Sequence, residues 1–366
     1  MSDWTDTALG EILQFQRGFD ITKKEQENGI FPVVSSSGIT SYHNKAKGKA
    51  PGVVIGRKGT LGTVHYVNSD YWAHDTTLWV KDFKGNLPKF IYYFLKVMHL
   101  ENYDTGASNP TLNRNHIHKI KLKCPSLPIQ KKIAAVLSAY DDLIENNDRR
   151  IALLEKMAEE IYREWFIRMR FPGHEQAIFH KGIPESWRLR KLEDIVELAY
   201  GKALKEEDRI PGDYPVFGSS GIVGTHKGYL VKAPGIILGR KGNVGSIHWS
   251  EQRFYPIDTV YYIKSNLSFY FLFFLLQSLN FINNDAAVPG LNRKQAYANT
   301  FYLPPQPLIE KYAETAKDTF DCKNNLRKQN EILKQTRDLL LTRLISSKLS
   351  VEDLDIQLPP SMTADS

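Results

Sequence analysis

Ala50-Pro51-Gly52-Val53-Val54-Ile55-Gly56-Arg57-Lys58-Gly59 returns 183 residues later as Ala233-Pro234-Gly235-Ile236-Ile237-Leu238-Gly239-Arg240-Lys241-Gly242. The chain has 366 residues, so that separation is half its length. Working outward, Phe31-Pro32-Val33-Val34-Ser35-Ser36-Ser37-Gly38-Ile39 recurs as Tyr214-Pro215-Val216-Phe217-Gly218-Ser219-Ser220-Gly221-Ile222. At the same separation Trp4 answers Trp187, His65 answers His248, and Asp75-Thr76 answers Asp258-Thr259. Leu112-Asn113-Arg114 and Leu291-Asn292-Arg293 follow at 179, as do Pro125…Pro128 and Pro304…Pro307. That many matches in register make the chain an internal duplication, each half a module followed by the same kind of tail.

The tails read as long helices. From Ile133 the apolar positions step by four and three through Leu137, Tyr140, Ile144, Asn147, Ile151, Leu154, Ala158, Ile161 and Trp165. This is a heptad seam, and Asn147 on it is the kind of polar intrusion that fixes register and partner. The second tail carries Tyr312, Ala316, Leu326, Leu333, Leu340 and Leu344 in the same frame, roughened by Lys323, Asn330 and Arg337. At 1.5 Å per residue each helix reaches about 60 Å. Pro128 and Pro307 suit first helical turns. Neither helix has another obvious core to join, so the two are expected to form a mutual coiled coil.

The modules read as mixed and strand-rich. Val53-Val54-Ile55 and Thr63 to Val67 are short β-branched runs joined by the Gly56-Arg57-Lys58-Gly59 loop, a hairpin pattern repeated at Ile236-Ile237-Leu238 and Val244 to Trp249. Phe90 to Leu95 and Phe269 to Leu276 predict one buried helix per module, and the small, acidic end of the chain predicts a frayed tail. The expected fold class is α+β.

Composition narrows the class. The chain is 42% hydrophobic and 24% charged, the balance of a globular protein with a real core. No apolar run approaches the ~18 residues of a membrane span, and Met1-Ser2-Asp3-Trp4 does not read as a signal peptide. Cys124 and Cys322, far apart, make no disulfide framework or zinc site on their own, and a reducing cytoplasm is expected. The overall charge of +7 is unevenly spread: residues 1–127 and 168–303 each carry +5, while 128–167 carry −2 and 304–366 carry −1. Two positive modules on mildly acidic rods suit a polyanion met twice, as two half-sites on a duplex.

The candidate contacts follow from the repeats. Arg57 and Lys58, with Arg240 and Lys241, put two cations on a glycine-bounded loop that could meet DNA phosphates or simply be a solvated hairpin. Asn113 and Arg114, with Asn292 and Arg293, are further candidates, or a structural cap. Ser35, Ser36 and Ser37, with Ser219 and Ser220, could contact DNA or only make a tight turn. Residues that differ at equivalent places can read different bases, which singles out Tyr42-His43-Asn44-Lys45 against Thr225-His226-Lys227-Gly228, and so His43, Lys45, His226 and Lys227. Asn102 to Asn109 against Asn280 to Ala287 is a second such place. His65 and His248 are expected to be structural. No phosphate-binding loop, dinucleotide fingerprint, amino-methyltransferase tetrapeptide or His/Cys metal spacing is present in the sequence. No catalytic residue, metal or cofactor is expected. A self-contained methyltransferase would need its own methyl-donor pocket, and a coiled-coil scaffold or regulator would show no DNA sequence preference.

The repeated Tyr/Phe-Pro-Val-x-x-Ser-Ser-Gly-Ile and Gly-Arg-x-Gly-x-x-Gly elements, the Pro-Ile-Gln-Lys-Lys-Ile run before the first long helix, and Asn147-Asp148-Arg149-Arg150-Ile151 within it resemble the DNA-specificity subunit of type I restriction–modification systems. The resemblance covers nearly the whole chain. The second copy departs from it, since Pro307-Leu308-Ile309-Glu310-Lys311 lacks the Gln and one Lys. The resemblance implies two target recognition domains, residues 1–127 and 171–303. It implies a central spacer helix at 128–170, an antiparallel C-terminal spacer helix at 304–350 and a flexible tail at 351–366. It further implies a bipartite asymmetric target in double-stranded DNA. The implied partners are two modification subunits carrying S-adenosylmethionine and restriction–translocase subunits using ATP and Mg.

Overall fold

The structure, a computed structural model, describes residues 4–104, 110–281 and 290–363. The centre of the first module is the β-branched run already quoted. All five residues of strand Gly52–Gly56 are buried, because it is an inner strand of a four-stranded antiparallel sheet. Strand Thr77–Asp82 flanks it on one side and Val64–Val67 on the other, with Gln14–Arg17 at the far edge. Side chains alternate along a strand. Val53 and Ile55 therefore face the core under helix Pro88–Lys96, while Val54 faces Val34, Tyr71 and Trp79. The second face is closed by a three-stranded sheet, in which the hairpin Phe31–Ser35/Gly38–His43 carries a bulge at Val33/Val34 and pairs in parallel with Trp72–Ala73.

The second copy repeats this plan. Strands Glu197–Tyr200, Val260–Lys264, Gly235–Gly239 and Ile247–Ser250 form its four-stranded sheet in the same order. Hairpin Tyr214–Gly218/Gly221–His226 bulges at Val216/Phe217 and pairs with Tyr255–Pro256. Ile236 and Leu238 lie under helix Phe269–Ser278, and Ile237 faces Phe217, Phe254 and Val260. Each module closes on itself through an antiparallel pair, Trp4–Ala8 with Lys121–Pro125 and Arg188–Lys191 with Thr300–Leu303. Both expected hairpins and both expected buried helices are present.

The long helices run Leu127–Tyr162 and Gln306–Ile345. Both start with proline in the first turn, where its missing N–H costs nothing. The first passes into a π-helical turn, Arg163–Ile167, capped by Arg168, and leaves helical structure at that point. There Phe166 and Phe171 turn inward against Trp187, so aromatic burial ends the helix.

The chain divides into two compact units, residues 1–146 with 330–366, and residues 147–329. The division falls inside both long helices, so each unit owns a segment of each. In the first unit Ile133 and Leu137 are buried together with Leu341 and Leu344, and Ile144 and Asn330 meet by an Asn330 Nδ2–H donated to Ile144 O at 3.4 Å. In the second unit Ala158 lies against Tyr312, whose hydroxyl donates to its carbonyl at 3.1 Å. In both, rising numbers on one helix meet falling numbers on the other, so the pairing is antiparallel. On the first helix Ile144, Asn147 and Ile151 are buried while Tyr140 and Leu154 are half-buried; on the second Leu326 is buried while Leu333 and Leu340 are half-buried.

The polar residues on the second seam stay on it. Lys323 and Asn330 are buried. Lys323 Nζ lies 3.2 Å from Glu155 Oε1, and Arg337 Nη1 lies 2.7 Å from Asp141 Oδ1. A buried charge is tolerated only when paired, and the partners come from the facing helix. Burial pulls the Lys323 ammonium pKa below its ordinary value, with Glu155 opposing that shift.

One expectation is overturned. The segment after the second helix is not a frayed tail through residue 363: Val351 and Met362 are buried in the first unit's core, Ile356 and Leu358 rest against it, and Lys132 Nζ donates to Glu352 O at 2.6 Å. The acidic residues Glu352, Asp353 and Asp355 lie between those apolar anchors. Replacing Val351 and Met362 together by Ala should cost about 3 kcal/mol, read as a lower urea midpoint of the full chain. A frayed tail would leave the midpoint where it was.

Candidate nucleic-acid interface

Four motifs distant in sequence converge in each module, and backbone hydrogen bonds bring them together. In the first module the N–H groups of Arg57 and Lys58 both donate to Thr76 O, at 2.8 and 3.0 Å. The Arg57 carbonyl in turn accepts from Leu112 N at 3.0 Å and Thr111 Oγ1 at 3.3 Å. Ser36 O takes hydrogen bonds from Thr63 Oγ1 at 2.6 Å and His65 Nε2 at 3.1 Å. The cationic loop is thereby clamped between the Asp75-Thr76 turn, the Leu-Asn-Arg segment and the serine turn.

The second module builds the same clamp. Arg240 N and Lys241 N donate to Thr259 O at 2.9 and 3.0 Å, and Leu291 N donates to Arg240 O at 2.7 Å. Ser219 O accepts from Ser246 Oγ at 2.5 Å and His248 Nε2 at 3.0 Å. Gly59 and Gly242 sit at φ +76° and +77°, and a Cβ there would lie 3.3 and 3.2 Å from the hydroxyls of Ser36 and Ser219. The positive φ favours glycine at both.

The clamp sorts the candidate residues. Lys58 and Lys241 are exposed at the loop tips. Arg57 is half-buried, with Nη1 3.4 Å from Asp75 O, and Arg240 directs Nε and Nη2 to Asp258 O at 3.2 and 2.7 Å. Arg114 is exposed, whereas Arg293 is half-buried. Asn113 and Asn292 cap the short helices Arg114–Ile117 and Arg293–Tyr297, their side chains accepting from Asn115 N and Lys294 N at 2.9 Å. Those amides are held by the backbone as helix caps. Ser35 and Ser36 are buried, Ser35 Oγ donating to Gly38 O at 3.1 Å, while Ser37 and Ser220 are exposed and Ser219 is half-buried.

His43 does not reach the surface. It is buried, its Nδ1 accepts from Glu27 N at 3.1 Å and its ring meets Trp72 edge-on. His226 holds Ile210 N in the same way at 3.1 Å, while Lys45 and Lys227 are exposed beside them. His65 and His248 each tie a strand to a serine turn. Of the second divergent place, residues 105–109 and 282–287 lie outside the described residues. The convergence itself could not be read from the repeats, which showed four shared motifs but not that they touch. Sequence reading also passed over Arg17 and Tyr200. They stand at equivalent positions, 183 apart, and differ, the same signal that singled out His43 and His226.

Comparison with known proteins bears on this arrangement. The family described as "Type I restriction modification DNA specificity domain" matches residues 1–156 and again 184–335. The specificity subunit of the type I restriction enzyme MjaIX of Methanocaldococcus jannaschii is 26% identical over 306 residues, covering 74% of this chain and 71% of its own. A putative type I specificity subunit of Mycoplasma pneumoniae is 24% identical, covering 84% of this chain and 86% of its own. The crystal structure of a type I restriction–modification S subunit from M. genitalium superposes with a TM-score of 0.60 at 18% identity, over 93% of this chain and 96% of that one. The family match over both modules thus defines a DNA-sequence recognition protein. The chain belongs to the type I restriction–modification DNA-specificity family. No helix among the described residues is long and apolar enough to cross a membrane.

Replacing the exposed Lys58 and Lys241 by Ala should weaken binding to all duplexes alike and lower the slope of log affinity against log salt by about two units. Titrations at several salt concentrations read this directly. An unchanged slope would make the loops solvated hairpins, and a loss confined to one base pair would make them readers of sequence.

Proposed function

We propose that this chain addresses a type I restriction–modification complex to a bipartite, asymmetric sequence in double-stranded DNA, each module reading one half. The observation that carries the reading is the doubled clamp: one fold, built twice, presents an exposed lysine on a backbone-fixed loop beside positions that differ between the copies. The exposed lysines shared by both copies suit the phosphate backbone, which is the same in both halves, and divergent neighbours suit bases, which differ.

The chemistry belongs to partners. Modification subunits would bring S-adenosylmethionine, and restriction–translocase subunits would bring ATP and Mg. The long helices are the natural docking element for them. In the first unit Leu143, Ile332 and Leu339 are exposed on these helices, as are Leu153 and Met157 in the second. Such apolar side chains left in water are expected where another protein seats. The purified chain should neither methylate nor cut DNA, and methylation should appear when a modification subunit is added. Methyl transfer from labelled S-adenosylmethionine by the chain alone would refute this assignment.

The helices also set the distance between half-sites in this reading. A heptad added to each helix, after Asn146 and after Gln329, keeps the antiparallel seams in step, since those positions face the same division. It lengthens each helix by about 10 Å, or about three base pairs at 3.4 Å each. Binding measured on duplexes whose spacers differ one base pair at a time should show the preferred spacer lengthened by that amount. Some affinity should be lost, because the DNA turns the far half-site by about a third of a turn. A folded variant with an unmoved preference would remove the helices as a ruler.

A further inference from the structure

The two clamps differ beside the cationic loop. In the second module Tyr200 ends strand Glu197–Tyr200 with its side chain half in solvent, 51% exposed. The Arg293 guanidinium lies over its ring at 4.3 Å from the centroid, and that of Arg240 at 5.4 Å. Tyr261 backs the group, its ring 5.0 Å from that of Tyr200, and its hydroxyl donates at 3.1 Å to Leu291 O, just before Asn292 and Arg293. Arg240 has spent two donors on Asp258 O. Among the described residues Arg293 has no such anchor: its Nε is buried without a hydrogen-bond partner, and its guanidinium rests over the two tyrosine rings.

The first module has none of this stacking among its described residues. Position 17, the counterpart of Tyr200, is an arginine whose exposed guanidinium pairs with Asp75 at 3.3 Å, and position 78, the counterpart of Tyr261, is a buried leucine. Arg17 also stands close enough to Arg57 to repel its charge. One module therefore holds a guanidinium over an aromatic surface. The other gathers loosely held cations.

These two arrangements suit different parts of a duplex. A phosphate accepts a cation from many directions, so exposed, hydrated arginines serve it well. A guanine edge offers two acceptors, O6 and N7, and rewards a guanidinium already fixed in plane. We infer that Arg293 reads a guanine in the half-site of the second module, with Tyr200 as the positioning residue that fixes its plane, and that Arg17 replaces this reader in the first module with a backbone contact. The inference rests on the DNA-recognition reading above and assigns residues within it.

The test is selection of preferred duplexes from a randomised pool by the full chain, followed by salt titration on the winners. Wild type should select at least one guanine in the half-site assigned to the second module by cross-linking to the selected duplex from the exposed loop position of a Lys241→Cys variant. Tyr200→Ala should relax that guanine roughly tenfold, within the range of one bidentate contact, and leave the other half-site's preference intact. Tyr200→Phe should keep it, because the ring is retained. Tyr200→Arg should relax the guanine and raise the salt slope by about one unit, and Arg17→Ala should lower the slope by about one unit without altering base preference. An intact guanine preference in Tyr200→Ala, no guanine in that half-site, or a base preference lost in Arg17→Ala each overturns the inference while leaving sequence recognition standing. A wild-type chain that selects nothing at either half overturns the parent reading as well.

Discussion

Two backbone N–H groups sharing one carbonyl are the constraint on which each module's surface depends. Arg57 and Lys58 converge on Thr76 O, and Arg240 and Lys241 on Thr259 O. Because the contact is made by main chain, the loop is fixed whatever its side chains do, and the lysines are left free to point outward. The same loop then supplies a carbonyl that anchors Leu112 or Leu291, which sets the start of the short helix bearing Arg114 or Arg293. A hairpin that would otherwise be mobile becomes a platform. Its geometry is inherited by every residue next to it.

Conserving the clamp while varying its neighbours lets one fold bind two different things. Main-chain hydrogen bonds tolerate side-chain change, so Arg17 can stand where the other module has Tyr200 without disturbing either loop. The price of a fixed plane for Arg293 is a buried Nε without an acceptor, a local cost of the kind that functional surfaces carry.

The helices use polar residues for a related purpose. A seam of leucines alone would pair in several registers. Lys323 facing Glu155, Asn330 facing the Ile144 carbonyl and Arg337 facing Asp141 satisfy each other only in one. What looked like roughness in the second heptad pattern is therefore register information. The same holds for the end of the chain, where four apolar residues spread over twelve positions dock against a core that their own spacing does not reveal.

By itself the sequence determined that the protein is a duplication, that each half is a strand-rich module with one buried helix and a long helical tail, and that the modules are the positive parts. Repetition and periodicity are local properties, carried by fixed separations along the chain, and they survive without knowledge of contacts. Tertiary structure alone decided that the serine turn, the cationic loop, the Asp-Thr turn and the Leu-Asn-Arg segment form one site, because hydrogen bonds such as Arg57 O with Leu112 N join residues 55 apart through space. It alone moved His43 to the interior, gave the Asn113 and Asn292 amides to helix caps, and brought Arg293 onto Tyr200. Which polar side chain faces water and which satisfies the backbone depends on neighbours that no spacing in the sequence encodes.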